Sequence, residues 1–325
     1  MKDEILTFLK QEDNYCSGEE ISQKLGVTRA AVWKSIKKLQ EEGYVITSST
    51  KKGYKLIEIP NIITPGEIKE NLQTNILGQC IEYKSEIDST NNWAKDLARM
   101  GASEGTLVVA DKQTKGKGRL GRCWESPAGT GIWMSLILRP NILPQFASQL
   151  TLIAGLNVCE AIEEVTGLEA KIKWPNDVVI NNKKVCGILT EMSAEMELIN
   201  YVIVGIGINA NMKEFPEELP HATSIALETK KECIRKDIIQ SFLEKFEKDY
   251  ETYKNEKSLF FVKDRYERNC ITLHKTVKLI NEGHESIAEA IGITNTGELM
   301  VRHEDGREEE VMSGEVSVRG LYGYI

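Results

Sequence analysis

Three glycines alternate with four cations within eight residues, Lys115-Gly116-Lys117-Gly118-Arg119-Leu120-Gly121-Arg122. Glycine lets the backbone turn tightly and bring N–H groups to an anion, while lysine and arginine add charge and directed donors. The run reads as a phosphate-binding loop, against the plainer alternative of a flexible basic surface loop. It has neither the Walker spacing nor a dinucleotide fingerprint, so it belongs to neither ordinary nucleotide class. Other segments also carry groups suited to chemistry. In Trp174-Pro175-Asn176-Asp177 the proline fixes one dihedral. The Asn/Asp pair then either bonds its own turn, which the residues alone favour, or offers a carboxylate and an amide to a reaction. Lys184 stands before the glycine-interrupted apolar run Val185-Cys186-Gly187-Ile188-Leu189, where a lysine reads as exposed decoration. Gly205 and Gly207 interrupt the strand pattern from Tyr201 to Asn209, a sign of close approach by a ligand or another backbone.

These groups need elements to hold them. Leu107-Val108-Val109-Ala110 reads as a buried strand that delivers Gln113 and the cationic loop to its end. Asp88-Ser89-Thr90-Asn91-Asn92 precedes a helical pattern from Trp93, so its polar groups cap that helix by default or bind a polar ligand group. Gly131 to Leu138 is another strand, with Ser135 as a polar atom in an apolar run, and Leu150 to Val165 is a buried helix. This alternation of strands and helices begins after a hinge at Pro60-Asn61-Ile62-Ile63-Thr64-Pro65-Gly66 and marks a second domain. From about Ile271, short alternating strands (Thr276–Ile280, Ser286–Ala290, Gly297–Val301) predict a small β-barrel.

Before the hinge the pattern differs. Ile5, Leu6, Phe8 and Leu9 line one face of a short helix, and Ser17-Gly18-Glu19-Glu20 has capping-box spacing for a second. Gly26-Val27 turns the chain. Thr28 then caps a third helix with Val32, Ile36 and Leu39 inward and Arg29, Trp33, Lys34 and Lys37 toward solvent, ended by Gly43. Two strands follow, Tyr44–Thr47 and Tyr54–Leu56, around a turn that carries Lys51 and Lys52. Helix, turn, helix and wing make a winged helix-turn-helix in which Thr28, Arg29, Trp33, Lys34, Lys37, Lys51 and Lys52 are the candidate DNA contacts. The alternative is a helical protein-interaction module with solvated lysines.

The whole chain sets bounds on these readings. At 325 residues, 41% hydrophobic and 28% charged, it has ample material for two or three domains. The formal net charge of −8 argues against uniform nucleic-acid coating. Yet between Lys24 and Lys55 eight cations face two acids, whereas from Glu282 to Glu315 ten acids face two arginines. No apolar run approaches the ~20 residues of a membrane span, so the expected compartment is the cytoplasm, without membrane partners. Seven scattered cysteines and four histidines show no metal-ligand spacing, which predicts reduced thiols and no metal site in the protein itself.

Taken together, the chain resembles the biotin protein ligase family, in its bifunctional bacterial branch that also represses the biotin operon. The resemblance rests on four segments in order: Gly116–Arg122, similar to the family's Gly-Arg-Gly-Arg-x-Gly-Arg signature; Lys173–Asp177; Lys184–Leu189; and Gly205–Asn209. Lys117 stands where the family usually has arginine, keeping the charge but lacking the planar fork. The implied fold is α+β (mixed α/β). It comprises a winged helix-turn-helix over 1–62, a class II synthetase-like α/β catalytic domain over 66–270, and an SH3-like β-barrel over 271–325.

The implied chemistry forms biotinyl-5′-AMP from biotin and Mg·ATP, then transfers biotin to a lysine of a biotin carboxyl carrier protein. By the resemblance Ser89, Thr90, Asn91, Gln113, Lys117, Gly118, Arg119 and Lys184 bind biotin. Gly116, Arg122, Trp124, Asn176 and Asn209 bind ATP or the adenylate, Asn176 and Asn209 being equally suited to structural hydrogen bonding. Lys184, Asp177 and Arg119 are the catalytic set, and Mg arrives with ATP. Arg319 would either reach ATP or the acceptor or, more simply, make a surface salt bridge. The implied partners are the carrier protein, biotin operator DNA, and a second copy of the chain once the adenylate is bound, biotin being both substrate and corepressor precursor. The rival readings are a lipoate or octanoate ligase and a non-catalytic ligand-sensing regulator.

Overall fold

The computed structural model describes the chain except for residues 50, 197, 282, 283, 314–316, 321–323 and 325, and gives backbone alone at 281 and 317. Two compact units emerge, Met1–Ile62 and Ile63–Ile325.

The first unit is built from α1 (Lys2–Gln11), α2 (Gly18–Leu25), α3 (Arg29–Glu41), β1 (Val45–Ser49) and β2 (Gly53–Glu58). Local signals set its helix ends. Ser17 Oγ accepts from Glu20 N at 3.0 Å, Thr28 Oγ1 accepts from Ala31 N at 3.2 Å, and Gly26 closes α2 in the left-handed region. The three helices pack Ile5, Leu9, Ile21, Val32, Ile36 and Leu39 into one core. The antiparallel β1–β2 wing is tied back by paired backbone bonds between Cys16 and Tyr54. A Cβ at Gly53 would lie 2.0 Å from Cys16 O, so that register needs glycine.

In the second unit a seven-stranded sheet runs β3-β4-β5-β9-β8-β7-β6. Its strands are β3 (Ile81–Ile87), β4 (Leu107–Gln113), β5 (Gly131–Leu138), β6 (Lys171–Lys173), β7 (Asp177–Ile180), β8 (Lys183–Glu195) and β9 (Leu198–Asn209). Only β3 and β4 are parallel, with α5 (Thr90–Arg99) as their crossover. One sheet face packs on α5 through Ala94, Ala98, Val108, Ile137 and Ile203. The other packs on α6 (Ala147–Thr166), which α8 (Arg235–Glu256) covers in turn. The short helices α4 (Pro65–Lys69) and α7 (Ile225–Thr229) and the helix α9 (Phe260–Asn269) complete the helical set. Arg265 on α9 grips Glu160 on α6 and Asp249 on α8 at 2.7 and 3.0 Å, and Asp249 also accepts from the buried Asn157. These partly buried charges tie the three helices to one another.

The chain then forms β10 (Thr276–Asn281), β11 (His284–Ile293), β12 (Leu299–His303), β13 (Glu308–Val311) and β14 (Ser317–Gly320). These make a five-stranded antiparallel sheet, β13-β12-β11-β10-β14. Residues 314–316, just before β14, lie outside those described. The small sheet is bonded to the corner between β6 and β7: Trp174 N donates to Thr272 Oγ1 at 3.0 Å, and the indole Nε1 donates to Gly297 O at 3.1 Å. Among the described residues no helix is long and apolar enough to cross a membrane.

Candidate functional site

A cavity of about 930 Å³ opens on the large sheet of the second unit, within the size range of small-molecule sites. Its floor is β8 and β9 where both strands lack side chains. Gly187 pairs directly with Gly207, and a Cβ on either would lie 2.8 or 2.6 Å from the Trp124 indole. A Cβ on Gly205 would lie 2.0 Å from Asn91 Oδ1. The close approach expected at Gly205 and Gly207 is thus by side chains, which use the missing methyl volume to reach the sheet.

One end of the cavity is neutral and rich in hydrogen bonds. Because β3 and β4 run parallel, with Ile87 opposite Gln113, the start of α5 meets the end of β4. Ser89, Thr90 and Asn91 are buried there. Gln113 Oε1 accepts from Thr90 N at 2.8 Å and from Thr90 Oγ1 at 3.1 Å, while its Nε2 donates to Ser126 Oγ at 2.9 Å. Ser135 Oγ lies 2.8 Å from Thr90 Oγ1 and 2.6 Å from Asn91 Oδ1, and Asn91 Nδ2 donates to Glu191 at 2.8 Å. The default capping role is corrected here: Ser89 occupies the N-cap position of α5 without a side-chain cap bond. Ser89 lines the cavity.

The opposite wall is cationic. The glycine-rich segment folds back on itself as Gly118 N donates to Arg122 O at 2.7 Å and Trp124 N to Gly116 O at 2.9 Å. Lys117, Gly118, Arg119, Arg122 and Trp124 line the cavity. Gly116 is buried beside them, and a Cβ there would lie 2.3 Å from Trp124 O. Lys117 Nζ donates to Asn92 Oδ1 at 2.6 Å, and Arg119 Nη1 to Asn176 Oδ1 at 2.7 Å. Burial holds the Arg119 guanidinium below its ordinary value, opposed by Asp177. The buried Trp124 Nε1 has no hydrogen-bond partner among the described residues.

Between these walls stands an ion pair, Lys184 Nζ to Asp177 Oδ1 at 2.6 Å. Asp177 comes from the first residue of β7. Lys184 follows the tight turn at Asn181-Asn182, both in the left-handed region, so a hairpin brings the two together. Asn176 donates to Asp177 and to Ile188 O, which makes it both a turn residue and a wall residue. Asn209 lines the cavity too, but its amide is spent on Thr223 O at 3.1 Å.

Sequence reasoning assigned no role to Tyr324, His221 or Lys173. Tyr324 Oη donates to Asp177 Oδ2 at 2.5 Å, its ring stacks on His221, and Lys173 Nζ sits 3.5 Å from its centroid. Burial, with the nearby cations Lys184, Arg319 and Arg122, pushes Lys173 down to about 8. Arg319 lines the same cavity and makes no ion pair among the described residues, in place of the expected surface salt bridge. No local pattern signals these contacts, because 147 positions of chain separate Tyr324 from Asp177.

In the first unit the candidate DNA residues are exposed. Trp33 is 53% accessible with Lys37 Nζ 4.6 Å from its ring, Lys34 stands beside it on α3, and Lys51 and Lys52 lie on the wing turn. Arg29 pairs loosely with Glu19 at 3.9 Å, and the Thr28 hydroxyl serves the α3 cap.

Comparison with known proteins adds an independent line. The family described as biotin/lipoate A/B protein ligase matches residues 83–209, an HTH domain matches 2–55, and the biotin protein ligase C terminal domain matches 272–319. The bifunctional ligase/repressor BirA of Bacillus subtilis is 42% identical over 308 residues, covering 94% of each chain. That of Escherichia coli is 28% identical over 97% of this chain and 96% of its own. Among solved structures, the biotin protein ligase from Aquifex aeolicus in complex with biotin and ATP superposes with a TM-score of 0.65 at 36% identity, covering 74% of this chain and 99% of that one.

Proposed function

We propose, on the premise that this chain belongs to the biotin protein ligase family and its bifunctional ligase/repressor branch, that its cavity joins biotin to AMP and passes the biotinyl group to a carrier lysine. The observation that carries the assignment of roles is convergence: a cationic glycine loop, a neutral hydrogen-bonding end and a lysine–aspartate pair share one cavity.

Biotin's ureido ring needs donors and acceptors at one end and packing elsewhere. Ser89, Thr90, Asn91 and Gln113 supply the first, while Met134, Ile206 and Leu189 supply apolar wall. The carboxylate of biotin then points toward Lys184, as the α-phosphate does from the loop side. Two anions must meet for the carboxylate oxygen to attack phosphorus and release pyrophosphate. The Lys184 ammonium offsets their repulsion and stabilises the charge that grows on the phosphoryl oxygens. Lys117, Gly118, Arg119 and Arg122 close over the adenylate, Asn176 orients Arg119, and Trp124 covers the adenine. The exposed carboxylates Glu125 and Glu218 on the cavity wall would suit a Mg²⁺ ion that arrives with ATP and is held mainly by phosphates and water, which would supply neutralisation of phosphate charge. In the second step Asp177 takes a proton from the acceptor lysine, since an ammonium has no lone pair to attack with.

The winged helix uses α3 in the major groove and the wing lysines on phosphates to bind the biotin operator. Adenylate binding drives pairing of two copies that match two half-sites; sedimentation with and without the adenylate tests this, and a monomer in both states rejects it. The test of the ligase reading is ATP–pyrophosphate exchange with biotin, with lipoate and with neither acid. Exchange that depends on biotin is expected. Exchange with lipoate instead would reject it, because a linear acyl chain leaves the neutral end's hydrogen-bonding groups unpaired.

A further inference from the structure

The two oxygens of Asp177 are committed to different neighbours. Oδ1 accepts from Lys184 Nζ at 2.6 Å and from Asn176 Nδ2 at 3.1 Å, which fills both of its lone-pair directions. Among the described residues Oδ2 accepts one bond, from Tyr324 Oη at 2.5 Å, and keeps one direction open. The phenol is itself fixed by the His221 ring, with centroids 5.6 Å apart, and by the Lys173 ammonium over its face. All of these residues line the same cavity. Burial and the adjacent carboxylate push the phenol above its ordinary range, so it stays a donor throughout the neutral and mildly alkaline region.

We propose that Tyr324 is a positioning residue for the transfer step, holding Asp177 so that the open direction of Oδ2 meets the acceptor ammonium while Oδ1 remains with Lys184. The inference rests on the ligase reading above. One proton passes from the acceptor ammonium to Oδ2. The freed lone pair forms the C–N bond at the biotinyl carbonyl carbon. The bond between that carbon and the phosphate oxygen breaks, AMP leaves with its electron pair, and the surplus proton on nitrogen goes to water. Activation of biotin uses Oδ1 and Lys184 and has no need of the phenol.

Tyr324→Phe removes the donor and keeps the ring between its neighbours. Full-length wild-type and variant proteins, loaded with biotinyl adenylate, are given either a biotin carrier domain or hydroxylamine, a nucleophile largely unprotonated at neutral pH. The expected result is a fall in kcat for the carrier domain of about tenfold or more, with its KM, the hydroxylamine reaction and ATP–pyrophosphate exchange all within about twofold of wild type. Unchanged carrier transfer overturns the proposal. So does a parallel loss of the carrier and hydroxylamine reactions, or of exchange, because a role in general packing would produce that. Absence of biotin-dependent exchange in the wild type overturns the ligase reading itself, and this inference with it.

Discussion

The cations of the winged helix and the cations of the cavity are the same residue types put to opposite use. On α3 and the wing, Lys34, Lys37, Lys51 and Lys52 stand in solvent, where each contributes a share of a positive field and none is held by a carboxylate among the described residues. In the cavity Lys184 and Arg119 are partly buried and each is fixed on a named oxygen, at 2.6 and 2.7 Å. Solvated charges act at long range, are screened by salt and substitute for one another. Charges fixed in a partly dry site act at one point, and no neighbour can take over. Basic composition alone therefore says little about which lysines are indispensable; the partner of each one does.

This contrast orders the expected effects of mutation. Lys184→Ala should lower biotin-dependent ATP–pyrophosphate exchange by roughly 100- to 1,000-fold, the scale for losing one preorganised charge at a reacting centre. Circular dichroism of the variant should match wild type, and near-normal exchange would break the distinction between the two sets of cations. Gly205→Ala tests the neutral end. A methyl 2.0 Å from Asn91 Oδ1 must displace that amide and the Ser135 contact with it, so biotin affinity measured by calorimetry should weaken by about tenfold or more. Lys37→Ala sits at the mild end. Operator affinity should drop only a few-fold and the slope of log affinity against log salt by about one, as for a single phosphate contact. A loss at one wing or helix lysine as large as that at Lys184 would contradict the idea of shared, interchangeable charge.

The smallest expected effect sharpens the comparison from within the cavity. Lys173 is held at about 8 in the fold against an ordinary 10.5. Between those values the unfolded chain keeps a proton that the folded chain has released. Stability should therefore rise with pH across that window relative to Lys173→Met, on the order of 1 kcal/mol after allowance for partial exposure. Urea titrations at pH 7.5 and pH 10 measure it; equal pH dependence in the two proteins would show that the ammonium is not desolvated.

Much of the fold was legible because its signals are local. Ser17, Thr28 and Gly26 mark helix ends within a few residues of the groups they satisfy, and Val32, Ile36 and Leu39 repeat at helical spacing. The gathering of the glycine loop, Gln113, the Ser89–Asn91 segment and the Lys184–Asp177 pair follows from short connections at strand ends. What stayed hidden was pairing at long range. Ser89 looked like a cap and makes no side-chain cap bond, Gly116 lies close against Trp124 O, and the open glycines of β9 receive Asn91 and the Trp124 indole. Each depends on which side chain arrives from a distant segment, and residue type alone does not specify an arrival.

The order of the chain's motifs, the period of its apolar residues and the chemistry of its turn residues already determined a winged helix, a mixed sheet domain carrying a cationic loop, and a run of short C-terminal strands, since each depends on neighbours a few positions apart. Only the tertiary structure decided that the phenol of Tyr324 binds Asp177, that Lys173 loses much of its solvent beside it, and that Trp124 lies on a floor of glycines. Those contacts are set by how the small sheet and the loop pack on β6 to β9, and the desolvation that tunes a charge exists only once that packing has excluded water.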